Sequence, residues 1–457
     1  MKKLLLRDIV SGIGAQCDAC GDVVITGVST DTRTIQKGDL FIALVGDKFD
    51  GHDYLAVAQQ NGAVAAVCSR KVEADMPVLL VDDTLKALQD LAAYYRSLLD
   101  IKVVAVTGSN GKTSTRDMIT CVLSSKYRVY STKKNFNNEI GLPKTLLEME
   151  EGYDIAVLEM GMNHFGEISR LTNIAKPDVA VITNVGKAHI GNLGSQENIL
   201  KAKLEILEGL KKDGLLIVNG DDAYLRTAAT GEFKKQFIGI SELSHPQLQA
   251  ENITVSGTDT LFTVDGVQGS IPVLGTYNVL NALLAMCCGR YFGVSVREAF
   301  DALKGYQSVG MRCEAEKING VNLVKDYYNS SPDSARVALE ALGDYADGGK
   351  KIALLGEMLE LGEYSAAEHR VLAENCVKNG VSSVFFIGAD KESFSAGMPE
   401  NAQVFAPDER EKMQQAVAAF ATGGGFAVGD AVLIKGSRGM KMEQFYEALV
   451  ALLNERE

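Results

Sequence analysis

The stretch Gly108-Ser-Asn-Gly-Lys-Thr113 has the residue types and the spacing to hold a nucleotide's phosphates. Its glycines permit a backbone turn tight enough to bring N–H groups onto phosphate oxygens. Lys112 can reach the β- and γ-phosphates, and the Thr113 hydroxyl can stand on Mg²⁺. With Thr107 the loop is a shortened variant, because Val106 occupies the place of the first glycine in the longer pattern. A chance turn containing these residues would not explain the apolar strand before it and the apolar helix face after it.

Further groups stand where apolar runs end. Glu159 closes Ile155-Ala-Val-Leu158 and is either a hard oxygen ligand for Mg²⁺ or a solvated strand-end carboxylate. His189 follows the run ending at Ile182; alone it would be a structural histidine. Asn137 and Asn138 are, alone, turn formers. Lys203 is the most informative. From Ser195 to Leu210 the chain reads as a helix capped by Ser195, with Ile199, Leu200, Leu204, Ile206, Leu207 and Leu210 on one face. Lys203 falls inside that face. It must snorkel out, be paired, or lose its charge to desolvation. A neutral amine can add CO₂, and the resulting carbamate could hold a second Mg²⁺.

These groups need a sheet to position them. Apolar runs at 102–106, 155–158, 179–182 and 215–218, separated by helical segments, predict a parallel sheet covered by helices. Ligands of such sheets gather at the carboxyl ends of the strands. Before it, Leu85, Leu88, Leu91, Tyr95 and Leu98 predict a helix over 84–99 and a boundary near Asp100. After it, Ile253/Val255 and Leu261/Thr263 alternate in a small antiparallel patch, a helix runs from 276 to 292, and Gly305 to Gly310 reads as a hinge. Runs at 322–325, 351–355, 384–387 and 431–434 predict a second doubly wound α/β unit. The expected architecture is therefore α/β in three domains. These are a small α/β N-terminal domain (1–100), a central parallel-sheet domain of P-loop ATPase type (101–310) and a C-terminal Rossmann-like domain (311–457).

A net charge of −13 argues against a nucleic-acid partner. Arg7 and Asp8 interrupt the first apolar run too early for a signal peptide, and no run approaches a membrane span. A cytoplasmic chain is expected, with its eight cysteines reduced. Cys17 and Cys20 form one CxxC, but no second ligand pair follows for zinc.

Taken together these residues resemble the Mur ligases, the ATP-dependent amide-forming enzymes of peptidoglycan synthesis. The loop 107–113 looks like the family's TGTNGKT, with Ser109 for the usual Thr. Asn138, Glu159, His189 and Lys203 match the family's polar and magnesium positions in order, the lysine being often carbamylated. Asn278 and Asn281 match asparagines near adenine, with Tyr277 replacing a frequent His. Arg312 resembles an arginine near the nucleotide, and Asp326 the ribose-contacting Asp of a DxYNxNP motif. That motif includes Asn329 and here has Ser331 for its second Asn. Lys435-Gly-Ser-Arg438 matches the closing KGSR. The segment Gly27-Val-Ser-Thr-Asp-Thr-Arg33 is similar to the uridine-diphosphate-binding domain of two branches, and Leu354 to Gly362 with His369 is like the branch that adds D-alanyl-D-alanine.

The resemblance implies ATP and Mg²⁺ as cofactors and UDP-N-acetylmuramoyl-tripeptide and D-alanyl-D-alanine as substrates. The sequence does not fix the oligomeric state; a monomer is the expectation. By the same comparison Lys112, His189 and Lys203 are catalytic, and Thr107, Gly108, Ser109, Asn110, Gly111, Lys112, Thr113, Asn278, Asn281, Arg312 and Asp326 bind nucleotide. Thr113, Glu159, His189 and Lys203 hold metal, and Ser29, Asp31, Arg33, Asn138, Asn329 and Arg438 meet substrate. Two other readings stay open: a sister ligase adding the third amino acid, and an ATP-binding regulatory protein without ligase activity.

Overall fold

A computed structural model describes every residue except Ala19, Val309, Pro399, Asn401, Arg456 and Glu457. Val309, inside the expected hinge, therefore lies outside the described residues.

The central sheet has seven strands, all parallel, in the spatial order Val129–Ser131, Ile155–Glu159, Lys102–Thr107, Val179–Ile182, Leu215–Asn219, Lys234–Gly239 and Leu248–Gln249. The four apolar runs form its middle, where both faces are covered and a continuous hydrophobic strand is stable. Strand Lys102–Thr107 sits between Ile155–Glu159 and Val179–Ile182, so the chain order reverses around it. That is the switch point at which open parallel sheets receive ligands. The helix Lys112–Leu123 buries Met118, Ile119, Val122 and Leu123 against one sheet face.

The N-terminal region carries a four-stranded parallel sheet of Gly27–Ser29, Asp39–Ile42, Ala63–Cys68 and Val78–Leu80. Its helix Thr84–Ser97 starts where Asp83 accepts from the Leu85 and Lys86 amides. Leu88, Leu91 and Tyr95 are buried, but the helix ends at Ser97 and Leu98 is left exposed. This helix belongs to the same core as Val103, Leu142 and Leu158, and the Tyr95 hydroxyl donates to the Met149 carbonyl at 2.6 Å. The first two regions are thus packed as one body.

The patch at 251–271 is antiparallel with three strands. Its inward set is Thr260, Phe262 and Val264, one residue out of step with the expected Leu261/Thr263, and Val255 is exposed. Phe262 meets Phe300 of the helix Val296–Leu303, with ring centroids 5.0 Å apart. That aromatic contact decides the face.

The C-terminal sheet runs Glu314–Ile318, Val321–Asp326, Ala431–Lys435, Lys351–Gly356, Ser383–Ile387 and Ala402–Phe405. Only its first strand is antiparallel. The ends of Val321–Asp326 and Ala431–Lys435 lie side by side and face the central sheet's phosphate loop.

Candidate active site

The helix Lys112–Leu123 begins at Gly111, whose φ of 77° is left-handed, and no side chain among the described residues caps it. Its first amides are free to meet an anion, reinforced by the helix dipole. The loop before it is braced from the strand ending at Ile182. The Asn184 carbonyl accepts from the Ser109 amide at 3.0 Å, and Asn184 Oδ1 from the Asn110 amide at 3.0 Å. Thr107 donates to the Met160 carbonyl at 2.9 Å. Lys112 is partly buried, and its Nζ donates to the Gly108 carbonyl at 2.8 Å. Burial, aided by the Arg312 cation, pushes its pKa down, while Glu159 opposes the shift.

Gly108 has a φ of 151°, and a Cβ there would lie 1.8 Å from Thr183 Oγ1. Thr183 itself holds the Asn110 carbonyl at 2.5 Å. We expect Gly108→Ala to cost about 1–3 kcal/mol in backbone strain and crowding and to weaken ADP binding at least ~10-fold, since the loop must move off the phosphates. Urea unfolding and titration calorimetry with ADP measure both. Unchanged stability and affinity would contradict this account of the loop.

Glu159 is buried and fully engaged. Its Oε2 accepts from Thr113 Oγ1 at 2.9 Å and Arg116 Nη1 at 3.1 Å, and its Oε1 from Asn137 Nδ2 at 2.8 Å. Hydroxyl and carboxylate side by side are hard oxygen donors, the donor type that Mg²⁺ takes. The pair therefore fits Mg²⁺. Arg116, one helical turn after Lys112, was not singled out in the sequence, and Asn137 was read there only as a turn former. Asn138, expected on the substrate side, lines the large cavity, but its Oδ1 accepts from the Ile140 and Gly141 amides where a helix starts.

Two adjoining cavities lie around the loop. The larger, about 770 Å³, is lined by Ser109 to Ser114, Asn138, Glu159 and His189, and farther along by Asn278, Asn281, Arg312, Asp326 and Asn329. Arg312 lies over the Tyr328 ring at 3.9 Å, and Asp326 pairs with Lys435 at 2.6 Å. Tyr277 turns a buried hydroxyl into this end with no hydrogen-bond partner among the described residues. The smaller, about 230 Å³, is lined by Ser109, Asn110, Lys112, His189, Asn329 and Arg438 together with Glu360. His189 has a left-handed φ of 63°, and its Nδ1 lies 2.6 Å from Glu360 Oε2 without hydrogen-bond alignment. That proximity holds the Glu360 carboxyl below the usual range.

Lys203 is 2% exposed and lines neither cavity. It stands behind the wall, within electrostatic reach of Lys112 and Asp222. Desolvation first, and then the Lys112 charge, push its pKa well below the lysine range. The N-terminal trio stays outside both cavities. Ser29 is buried on Thr34 and the Asp31 carbonyl, and Asp31 pairs with the exposed Arg33 at 2.6 Å.

The C-terminal region is bonded directly onto the loop. Ser331 Oγ donates to Asn110 Oδ1 at 2.9 Å, Asp333 Oδ2 accepts from the Lys187 amide at 2.7 Å, and the Glu360 carbonyl accepts from the Gly191 amide at 3.1 Å. No described helix is long and apolar enough to cross a membrane.

Comparison with known proteins gives one answer across the chain. The Mur ligase middle domain matches residues 106–289, the Mur ligase glutamate ligase domain 311–438, and the Mur ligase family catalytic domain 24–96. A Bacillus subtilis protein, UDP-N-acetylmuramoyl-tripeptide–D-alanyl-D-alanine ligase, is 42% identical over 93% of this chain and 93% of its own. The crystal structure of MurF from Acinetobacter baumannii superposes with a TM-score of 0.92 at 28% identity, covering 99% of both chains. MurF ligase from Thermotoga maritima in complex with ADP gives 0.85 at 30% identity, over 94% of this chain and 98% of that one.

Proposed function

The chain belongs to the Mur ligase family, and we propose that it joins D-alanyl-D-alanine to UDP-N-acetylmuramoyl-tripeptide at the cost of ATP. One observation carries the reading beyond the relatives: the phosphate loop at the switch point is hydrogen-bonded to the C-terminal region through Asn110 and Ser331. A nucleotide on the loop and a ligand of the C-terminal region would then meet in adjoining cavities. Residues 1–100 bind the uridine nucleotide, 101–310 bind ATP, and 311–457 bring the amine.

A carboxylate does not form an amide with an amine in water without activation. On this reading the tripeptide's terminal carboxylate takes the γ-phosphoryl group of ATP, giving an acyl phosphate and ADP. The dipeptide amine then attacks the acyl carbon, and phosphate leaves from the tetrahedral intermediate. The chain's part is to hold the reacting groups in line and to neutralise charge. Lys112 and the free amides at the helix start take the phosphates. Asn278, Asn281, Arg312 and Asp326 take the nucleoside. Thr113 and Glu159 would hold one Mg²⁺; a second would need the Lys203 carbamate to reach past the wall to His189. Bound there, the ions offset negative charge on the transferring group.

Phosphate release from Mg-ATP tests the reading. We expect release only when UDP-N-acetylmuramoyl-tripeptide and D-Ala-D-Ala are both present. Release with a single amino acid and not the dipeptide would move the chain to a sister ligase. No release with any pairing would overturn the ligase reading.

A further inference from the structure

Resting on that reading, the smaller cavity has the charges that a free dipeptide requires. Such a dipeptide enters as a zwitterion, with an ammonium near the bond to be made and a carboxylate at its far end. Among the described lining residues Glu360 is the only carboxylate. Its side chain is half exposed, and it stands beside His189 in a cavity that the phosphate loop also lines. Arg438 lines the same cavity, more than half exposed, and its one ion-pair partner among the described residues is Glu443 at 3.4 Å. Leu359 and Leu361 flank Glu360 and offer apolar surface to small side chains. The volume of about 230 Å³ is below the ~300–1,000 Å³ of drug-sized sites.

Glu360 is also held in place at a conformational cost. Its φ of 64° is left-handed, which a residue with a long side chain seldom adopts. The Gly191 amide on its carbonyl, and the bond from the Met358 amide to His369 Nε2 at 2.9 Å, fix the loop on either side. Strain of this kind persists where surroundings over-determine it. Here the result is a carboxylate projected across the domain boundary.

We propose that this cavity seats the incoming dipeptide, its ammonium on the Glu360 carboxylate and its carboxylate on the Arg438 guanidinium. Glu360 orients the amine toward the acyl carbon, and Arg438 measures where the dipeptide ends.

Steady-state kinetics on the full chain test the assignment, with D-Ala-D-Ala and its C-terminal amide as acceptors. We expect Glu360→Gln to raise KM for D-Ala-D-Ala about tenfold or more, with KM for ATP and for the tripeptide within about twofold. Glu360→Asp should recover part of the loss. Arg438→Gln should raise KM for the acid about tenfold yet leave KM for the amide at the wild-type value. A merely structural Glu360, serving only to hold His189 and the closed domains, would raise KM for ATP in parallel, and that result overturns the proposal. So does an Arg438→Gln variant that handles acid and amide as the wild type does. If the wild type ignores D-Ala-D-Ala and takes another amino acceptor, the functional reading falls, and the same variants with that acceptor still decide whether this cavity holds it.

Discussion

Lys112→Ala should lower kcat by on the order of 10³-fold, the scale of removing one preorganised donor from a transition state that develops charge. The lysine is the only ammonium on the phosphate loop, and it is partly buried and bonded to two carbonyls of that loop. Partly withdrawn from solvent, its charge is worth more there than in bulk water. The fold should survive, because Asn184, Thr183 and Ser331 also brace the loop, so the lysine's bonds to the Gly108 and Ser109 carbonyls are not its sole support. Lys112→Arg should recover little, since a planar fork cannot take the place of a compact ammonium between loop carbonyls and phosphate. Stopped assays of acyl-phosphate formation, alongside the thermal midpoint, check both points. Activity within tenfold of wild type, with the midpoint unchanged, would remove Lys112 from phosphoryl transfer.

Lys112 was readable because everything that places it lies within seven consecutive residues, 107–113, between a buried strand and a helix. The same local logic exposed Lys203, an amine in the apolar face of one helix. Recognition failed where a partner far along the chain decides the outcome. Asn137 and Asn138 are identical in type, and only the fold makes one reach Glu159 and the other start a helix. Arg116 looks like a solvated helix residue until Glu159 and the Lys134 carbonyl close on it. Glu360 meets His189 across the domain boundary, and no spacing in the chain encodes that approach. The missed strands Val129–Ser131, Lys234–Gly239, Leu248–Gln249, Glu314–Ile318 and Ala402–Phe405 lie at or beside sheet edges. An edge is wet on one side, so it lacks the long apolar run that made the central strands legible.

Lys203→Ala should remove nearly all turnover, by about 10²-fold or more on the scale of a lost metal ligand or its support, and short carboxylates such as acetate should restore part of it. The reason lies in two facts about the lysine's surroundings. Burial disfavours its ammonium and the Lys112 charge disfavours it further, together outweighing the Asp222 carboxylate, which favours it. That same neighbouring cation favours an anion at Lys203, so it promotes the carbamate as it opposes the ammonium. Carbamate formation bonds the amine nitrogen to CO₂ and releases one proton to water.

The linkage has a definite sign. Unfolded, the lysine keeps its proton up to its ordinary value of 10.5, whereas the folded value lies well below. Between the two the unfolded chain binds more protons, so the amine makes stability rise with pH until about 10.5. Lys203→Met should abolish that increment in CO₂-free buffer, and in ¹³C-bicarbonate it should lack a carbamate resonance that the wild type shows. An identical pH dependence in wild type and variant would mean a charged, paired lysine. Full activity of Lys203→Ala without added carboxylate would end the metal-ligand role.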